Sequence, residues 1–343
     1  MQPDAKHLPL IRLWLLACIT CVVMMVFIGG ITRLTESGLS IVEWKPITGI
    51  LPPIGDEQWR VEFDNYKSSP EYQKKNFSFE LADFKAIFWL EYIHRLFGRI
   101  TGLVFLVPLV YFAVRRYLPA PLVTRMAAIT ALCGAQGAVG WVMVASGLVD
   151  QPRVAPIKLG LHLILATTIF AWLIHTYLQV TTARGISFHR RSGVFARGLL
   201  LIVFVQMFLG ALVAGLDAGL VYNTFPLMDG KIAPTPLHVS VPWWINHFEY
   251  VPLVQFQHRV GAVLLVMASF AFMYYAYPHM HVQERERLKH LMWVLLAQFG
   301  LGIYTLLTVV NIAVASMHQM AALLLVAVVV RLIYALPITK PQA

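Results

Sequence analysis

The residues best suited to chemistry are a carboxylate, an imidazole and a guanidinium at the edge of an apolar stretch. They occur in the run EYIHR at 91–95, and a related run, QFQHR, occupies 255–259. Ionisable side chains are costly inside a membrane, so their presence there indicates a function. The recurrence predicts that two halves of the chain share part of this chemistry.

Two further histidines complete a set of four. His94, His162, His258 and His318 each lie near the start of an apolar run that follows an outer segment, so we expect all four at one depth. Two imidazoles at equal depth on facing helices of a bundle can hold a haem iron from both sides. The repeat predicts two such pairs, His94 with His162 and His258 with His318.

Arginines accompany these histidines at the outer helix ends. We predict that Arg95, Arg99 and Arg259 pair with haem propionates through charge-assisted hydrogen bonds. The alternative is that each extends to lipid headgroups, as arginines near helix ends commonly do.

One carboxylate distinguishes the two runs. Glu91 precedes His94 by three residues, which puts both on one helix face, whereas Gln255 stands before His258. An ionisable group beside only one haem predicts that only the first site does proton chemistry, with Glu91 as the catalytic residue. The alternative is that Glu91 only pairs with Arg95 one turn along the helix.

The elements that must position these residues are membrane helices. Hydrophobic residues make up 58% of the 343 residues and charged ones only 13%, about half the share of a soluble protein. Eight apolar runs reach the roughly 20 residues that cross a bilayer. They lie near 13–30, 87–114, 126–145, 158–180, 198–214, 254–276, 291–310 and 315–335.

The distribution of basic residues predicts the orientation. The net charge is +10, but the basic residues cluster in short segments between apolar runs, which indicates topology signals and excludes nucleic-acid binding. Those on one side are Lys6, Arg12, Arg115, Arg116, Arg184, Arg190, Arg191, Arg197, Arg285, Arg287 and Lys289. That side is predicted to be cytoplasmic, with both termini. No Arg- and Ser-rich leader precedes the first run, which favours a bacterial inner membrane.

The cysteines and outer segments add smaller predictions. Cys18, Cys21 and Cys133 all fall in apolar runs, so neither a disulfide framework nor a zinc cluster is expected. The outer segment 31–86 is rich in aromatic residues and is predicted to fold over the helices, with short helices near 56–66 and 71–79. The second outer segment, 217–251, carries His238 and His247, which could contact a ligand.

Internal similarity divides the chain into residues 1–182 and 183–343, each with four spans. An even number of spans per unit makes the copies parallel, related by an axis along the membrane normal. The predicted fold is therefore an all-α polytopic membrane protein in which eight transmembrane helices form two pseudosymmetric four-helix bundles.

Four motifs together resemble the haem A synthase family over nearly the whole chain, in the branch of proteobacteria and mitochondria. They are GGITRLTESGLS at 29–40, EWKP at 43–46, EYIHRLFGR at 91–99 and NTFPLM at 223–228. The resemblance implies that one bundle binds haem b as a cofactor. The other receives haem O, whose C8 methyl is oxidised to a formyl group, giving haem A for terminal oxidases.

The resemblance also assigns roles. His94 and His162 match the ligands of the substrate haem in the first half, His258 and His318 match those of haem b, and Glu91 matches the acidic residue linked to catalysis. Implied partners, besides membrane lipid, are the farnesyltransferase that makes haem O and an electron-transfer protein. Whether the protein forms a homo-oligomer stays open. The first outer segment lacks the cysteine pair of some relatives, which excludes a thiol-disulfide electron route there.

Two other functions compete with this one. A dihaem b-type protein could pass electrons from quinol without modifying either haem, although such proteins often place their haems at two depths. A secondary transporter would also contain repeats, but it needs ionisable residues near the middle of the membrane, where this chain has almost none. The sequence leaves the source of the inserted oxygen, water or O₂, open.

Overall fold

The computed structural model describes residues 3–45, 48–182, 190–237 and 239–336. Within these ranges, eight helices are long and apolar enough to cross a membrane, which confirms an all-α polytopic protein. They are α1 (Leu8–Leu34), α4 (Leu81–Val114), α5 (Ala120–Ala145), α6 (Pro156–Thr181), α7 (Arg190–Gly215), α9 (Val251–Ala276), α10 (Val282–Leu307) and α11 (Ile312–Ala335). The outer segments contain α2 (Gly55–Lys67), α3 (Pro70–Lys74) and α8 (Asn246–Glu249). Pro46, Arg184 and His238 lie outside the described residues.

Several helices begin before the apolar runs that predicted them. α4 begins at Leu81, where Glu80 and Asp83 form a reciprocal capping box. Its first turn also buries Phe84. α10 begins at Val282 with a polar, charged stretch before its apolar part. Apolar length therefore located the membrane-crossing part of each helix but missed the polar turns beyond it.

The end of α10, by contrast, comes earlier than its apolar run predicted. The helix ends at Leu307 rather than Val310, because Val309 and Val310 adopt left-handed φ angles of 53° and 56°. This conformation is strained for β-branched residues. Asn311 then caps α11, its side chain accepting hydrogen bonds from the amides of Ala313 and Val314. The result is a tight connection between two neighbouring spans.

The spans contact one another in two closed groups of four. α1 and α5 each contact both α4 and α6, and α7 and α10 each contact both α9 and α11. We call α1 with α4–α6 the first half and α7 with α9–α11 the second half. The halves meet through α1, α6, α7 and α11. The division at residue 182 and the symmetry of two bundles stay predictions.

The largest apolar cluster fills one end of the spans. Its fully buried members include Leu15 of α1, Phe105 of α4, Leu173 of α6 and Leu291 of α10. We call this the inner end, and the opposite end, near residues 35–80 and 216–250, the outer end. Because the inner end is packed by side chains, any large internal ligand must lie toward the outer end.

The first outer segment folds back onto α4 as predicted. α2 coincides with the helix expected near 56–66, and α3 is shorter than the one expected near 71–79. Trp59, Phe63 and Tyr66 of α2 pack with Phe84 and Phe88 of α4 in a separate apolar cluster. This packing anchors the segment at the outer end of the first half.

Candidate functional site

Each of the four predicted ligand histidines packs against a glycine of the preceding span. A Cβ atom added at Gly140, Gly210 or Gly302 would lie 3.0, 3.0 or 2.9 Å from Cε1 of the facing histidine. A Cβ at Gly29 would lie 3.3 Å from His94 Nε2. The facing residues are His162 for Gly140, His258 for Gly210 and His318 for Gly302. Only glycine lets an imidazole approach the neighbouring helix this closely.

The glycines also fix a common depth. Each lies five residues before the last residue of its helix, Leu34, Ala145, Gly215 or Leu307. The four histidines therefore occupy one layer near the outer end. His94 is nevertheless far from the start of its own helix, because α4 continues outward to Leu81. The depth of each histidine thus follows from the glycine it faces and not from the start of its own helix.

Electrostatic influence links the same histidines that the sequence pairs, and their shared ligation of a haem stays a prediction. The imidazoles of His94 and His162 are close enough to interact electrostatically, and the same holds for His258 and His318. All four lie deep among protein atoms yet keep part of their surface accessible, so they line internal space. Nδ1 of His162 and Nδ1 of His318 are buried and make no hydrogen bond with the described residues.

This donor set fits a haem better than a protein-only metal site. A metal held by side chains alone usually takes three or more protein ligands. No cluster of three or more His, Cys, Asp or Glu side chains suited to a metal ion occurs in the described part of the chain. A haem iron needs only two axial ligands from the protein, and facing helices of a bundle can supply them. The paired imidazoles over glycines therefore match a bis-histidine haem site.

Glutamines lie one turn before three of the glycines, and two of these glutamines hydrogen-bond to the histidine that the glycine faces. Gln136 Nε2 donates to the backbone carbonyl of His162 at 2.9 Å. Gln206 Nε2 donates to the carbonyl of His258 at 2.9 Å and lies 3.0 Å from its Nδ1. Gln298 occupies the same place before Gly302, whereas Met25 takes it before Gly29. A contact behind a metal ligand orients its ring, and among these glutamines only Gln206 reaches a ring nitrogen of its histidine.

Glu91 is buried, and four hydrogen bonds surround its carboxylate. Oε2 accepts from Ser40 Oγ at 2.7 Å and from the Ile41 amide at 2.8 Å. Oε1 accepts from Arg95 Nη2 at 2.6 Å and from its Nε at 3.0 Å. The pairing with Arg95 considered from the sequence is thus present. Glu91 also lies within electrostatic range of His94, so it connects the outer segment to the histidine layer.

The arginines that follow Glu91 hold the same outer segment. Arg95 Nη2 donates to the Ile41 carbonyl at 2.9 Å, and Arg99 Nη2 donates to the Lys45 carbonyl at 3.0 Å. Arg95 also lies over the ring of Trp44. These guanidinium groups fix residues 41–45, and their predicted pairing with haem propionates stays a prediction.

The second half repeats this arrangement with different chemistry. Gln255 Nε2 donates to the carbonyls of Ala218 at 2.9 Å and Tyr222 at 3.1 Å. Arg259 donates to the carbonyls of Tyr222 at 2.7 Å and Thr224 at 2.8 Å. The outer segment is therefore held by Glu91 and Arg95 in the first half, and by Gln255 and Arg259 in the second half. A propionate role for Arg259 also stays a prediction.

Aromatic contacts place these outer segments over the histidine layer. Trp44 packs on Trp141 of α5, with ring centroids 6.0 Å apart, beside the Gly140 that faces His162. In the second half, Phe225 packs edge-on against Phe299 of α10 at 6.3 Å. His247 joins this cover, with Nδ1 3.0 Å from Gln257 Oε1. In each half, the outer segment thus contacts the span that carries a histidine-facing glycine.

Sequence reasoning found the histidines, Glu91 and the arginines but missed parts of the supporting shell. It did not connect each histidine with a particular glycine or assign a function to the glutamines. The available signal was the spacing Q-x-x-x-G, at 136–140, 206–210 and 298–302. This spacing puts the glutamine and the glycine on one helix face, where a neighbouring histidine meets both.

Comparison with known proteins agrees with this architecture. Residues 12–330 match the model of a family described as COX15-CtaA, cytochrome oxidase assembly protein. A protein of Bradyrhizobium sp. (strain BTAi1) named Heme A synthase is 44% identical over 328 residues, covering 94% of this chain and 90% of the relative.

Two further relatives carry the same name. The Anaplasma marginale (strain St. Maries) protein is 44% identical over 314 residues, covering 90% of this chain and 89% of its own. The Agrobacterium fabrum protein is 44% identical over 336 residues, covering 95% and 90%. The family match, at residues 12–330, spans all four histidines and both outer segments. The chain therefore belongs to the COX15-CtaA family of cytochrome oxidase assembly proteins.

Proposed function

We propose that this protein is an oxidoreductase that converts haem O to haem A for terminal oxidase assembly, by oxidising the C8 methyl of haem O to a formyl group. The observation that carries the proposal is the layer of two histidine pairs, each imidazole packed on a glycine. Two haem sites in one layer suit an enzyme that brings a substrate haem beside a cofactor haem. Membership of a family whose relatives are named Heme A synthase supports the same activity.

We assign the substrate to the first half, with His94 and His162 as its iron ligands. Small residues support this choice, because haem O carries a long farnesyl tail that haem b lacks. At four matched positions the first half has glycine where the second half has a larger residue. The matched pairs are Gly98 with Ala262, Gly102 with Val266, Gly134 with Leu296, and Gly137 with Phe299. The added space next to α4 and α5 suits the tail.

We assign haem b to the second half, with His258 and His318 as its ligands. When bound there, haem b would exchange electrons with the substrate site and with an external electron-transfer partner. Gln206 suits a permanent site, since its contacts with the ring and backbone of His258 fix that ligand in place. His94 has Met25 at the matching position, and a less constrained ligand suits a haem that must enter and leave.

The protein's own groups then act by holding and enclosing the substrate. The segment 40–45, tethered by Glu91, Arg95 and Arg99, covers the first half and excludes water from the outer end. We propose Glu91 as the acidic group of the reaction. To accept a proton it must release one of its four hydrogen bonds, so its chemistry is coupled to the position of the outer segment.

We propose a bacterial inner membrane as the location, with the outer ends facing the periplasm and both termini in the cytoplasm. The basic residues at the inner ends, including Arg115 and Arg285, support this orientation. We also propose the two bundles, 1–182 and 183–343, as the substrate and cofactor units. The farnesyltransferase that makes haem O is the partner that this reaction requires as its supplier.

The test is conversion in a host that makes haem O but no haem A. Haems extracted from its membranes would be separated by chromatography after expression of this protein. We expect haem A to appear, and His94→Ala to abolish it while the exposed His290→Ala, the matched control, leaves it unchanged. Persistence of haem O alone, together with a b-type spectrum, would instead favour a dihaem electron-transfer protein.

A further inference from the structure

A single glutamine joins the two histidine pairs across the contact between the halves. Gln319 directly follows His318 on α11, and its Nε2 donates to the backbone carbonyl of Val26 on α1 at 2.7 Å. An amide in the apolar interior needs such a partner, because leaving its donors unpaired would be costly. The hydrogen bond therefore fixes where α11 lies against α1.

A glycine on α1 makes this bond possible. A Cβ atom added at Gly30 would lie only 2.2 Å from Oε1 of Gln319, so any larger residue would displace the amide. Gly30 directly follows Gly29, on which His94 packs. The contact between Gln319 and Gly30 thus lies next to both sites. Gln319 is adjacent to His318, and Gly30 is adjacent to Gly29, on which His94 packs.

The corresponding contact between the halves is apolar. The internal repeat matches His318 with His162 and Gly29 with Gly210, so Leu163 and Ala211 stand where Gln319 and Gly30 stand. These belong to α6 and α7, which also contact each other. The α6–α7 interface packs without a glutamine at this position. Association of the two halves therefore does not require the Gln319 hydrogen bond at the α1–α11 interface.

We propose that Gln319 is a positioning residue that sets the orientation of the cofactor haem relative to the substrate haem. This inference rests on the proposed function, since it assigns the cofactor to His318 and the substrate to His94. A shift or rotation of α11 against α1 would move His318, which α11 carries, without moving His94, which packs on α1. The Gln319–Val26 bond prevents that movement at the depth of the histidines.

The experiment uses Gln319→Leu, Gly30→Ala and the double variant in the full-length protein. The double variant places at this interface the Leu and Ala that the chain already has at the other, so we expect it to fold. Conversion of haem O should fall about 10- to 100-fold in each single variant, because small misplacements of reacting groups have effects of this size. The b-type absorption should stay at the wild-type level.

Two readouts separate positioning from simple destabilisation. If Gln319 and Gly30 act through one contact, the effects of the two substitutions should not add. The double variant should then convert haem O at least as fast as the slower of the two single variants. Soret circular dichroism of protein loaded with haem b and haem O should also change, because it depends on the mutual orientation of the two haems. Gly198→Ala is the matched control, because its added Cβ meets no neighbouring atom.

The inference is wrong if Gln319→Leu converts haem O at the wild-type rate with an unchanged dichroism spectrum. It is also wrong if the double variant loses haem b, since the bond would then build the cofactor site rather than orient it. Failure of the proposed function gives a different result, because the wild-type protein itself would not convert haem O.

Discussion

The two halves hold their outer segments with the same pair of positions but with opposite hydrogen-bonding polarity. In the first half, Glu91 accepts hydrogen bonds from the hydroxyl of Ser40 and the amide of Ile41. In the second half, Gln255 donates to the carbonyls of Ala218 and Tyr222. A carboxylate only accepts hydrogen bonds and an amide nitrogen only donates them, so each side chain matches the groups that face it.

The difference between Glu91 and Gln255 therefore reflects the groups that each side chain faces. The sequence alone suggested proton chemistry at Glu91, whereas the structure gives a local reason for each residue. The carboxylate is therefore needed to hold residues 40–45 whether or not it also moves a proton. The differences on which we base the proposed substrate assignment lie deeper, at glycines such as Gly137 and at Met25.

The largest expected effect on this comparison comes from Glu91→Gln. The NH₂ group of the new amide would face either the Ile41 N–H or the Arg95 guanidinium, both of which only donate, so at least one hydrogen bond is lost. Leaving such a group unpaired costs about 1–3 kcal/mol. We expect haem b to remain bound while product stops at haem O or its hydroxymethyl intermediate, measured by chromatography of the extracted haems.

Two controls sharpen that result. Ser40→Ala removes one tether but keeps the carboxylate, so a holding role predicts a partial loss of conversion and a pure proton role predicts none. Gln255→Glu places a carboxylate against the carbonyls of Ala218 and Tyr222 and should loosen only the second half. Normal haem A formation by Glu91→Gln would contradict both roles.

A smaller effect concerns α2 and α3, the outer helices of the first half. Burial raises the pKa of Glu71 to about 7, although its carboxylate accepts a hydrogen bond from Tyr66 at 3.0 Å. Glu91 and Glu36 raise this pKa further, and Lys75 opposes them. The folded segment thus keeps a proton that the unfolded segment releases above its ordinary pKa of 4.5.

The sign of the pH dependence follows from this. Between about pH 4.5 and 7 the unfolded segment binds fewer protons, so the stability of α2 and α3 should fall as pH rises, by up to about 3 kcal/mol. Hydrogen exchange of 55–75 should therefore be faster at pH 8 than at pH 5, after correction for intrinsic rates. Glu71→Gln should remove this difference, and an unchanged pH dependence in that variant would refute the assignment.

The sequence predicted most of the helices because apolar length and basic loops are strong physical signals. It placed His94, His162, His258 and His318 in one layer because each follows an outer segment. It could not predict that Glu91 is fully hydrogen-bonded, since the partners come from Ser40 and Ile41, about 50 residues away. Contacts that depend on the path of an outer segment are not encoded in local spacing.

The same limit applies at the contact between the halves. Gln319 and Val26 lie at opposite ends of the chain, and only the packing of α11 on α1 brings them together. The glycines were visible as small residues, but which histidine each one faces depends on helix rotation. The left-handed turn at Val309 and Val310 was also hidden, because no glycine marks it.

The most direct test of the division of labour is to compare His94→Ala with His258→Ala as purified proteins. For each variant, visible spectra would give the low-spin b-type absorption and chromatography would identify the bound haems. We predict that His258→Ala loses the b-type signal, and that His94→Ala keeps it but makes no haem A. An unchanged b-type spectrum in His258→Ala, or haem A formation by His94→Ala, would contradict the account.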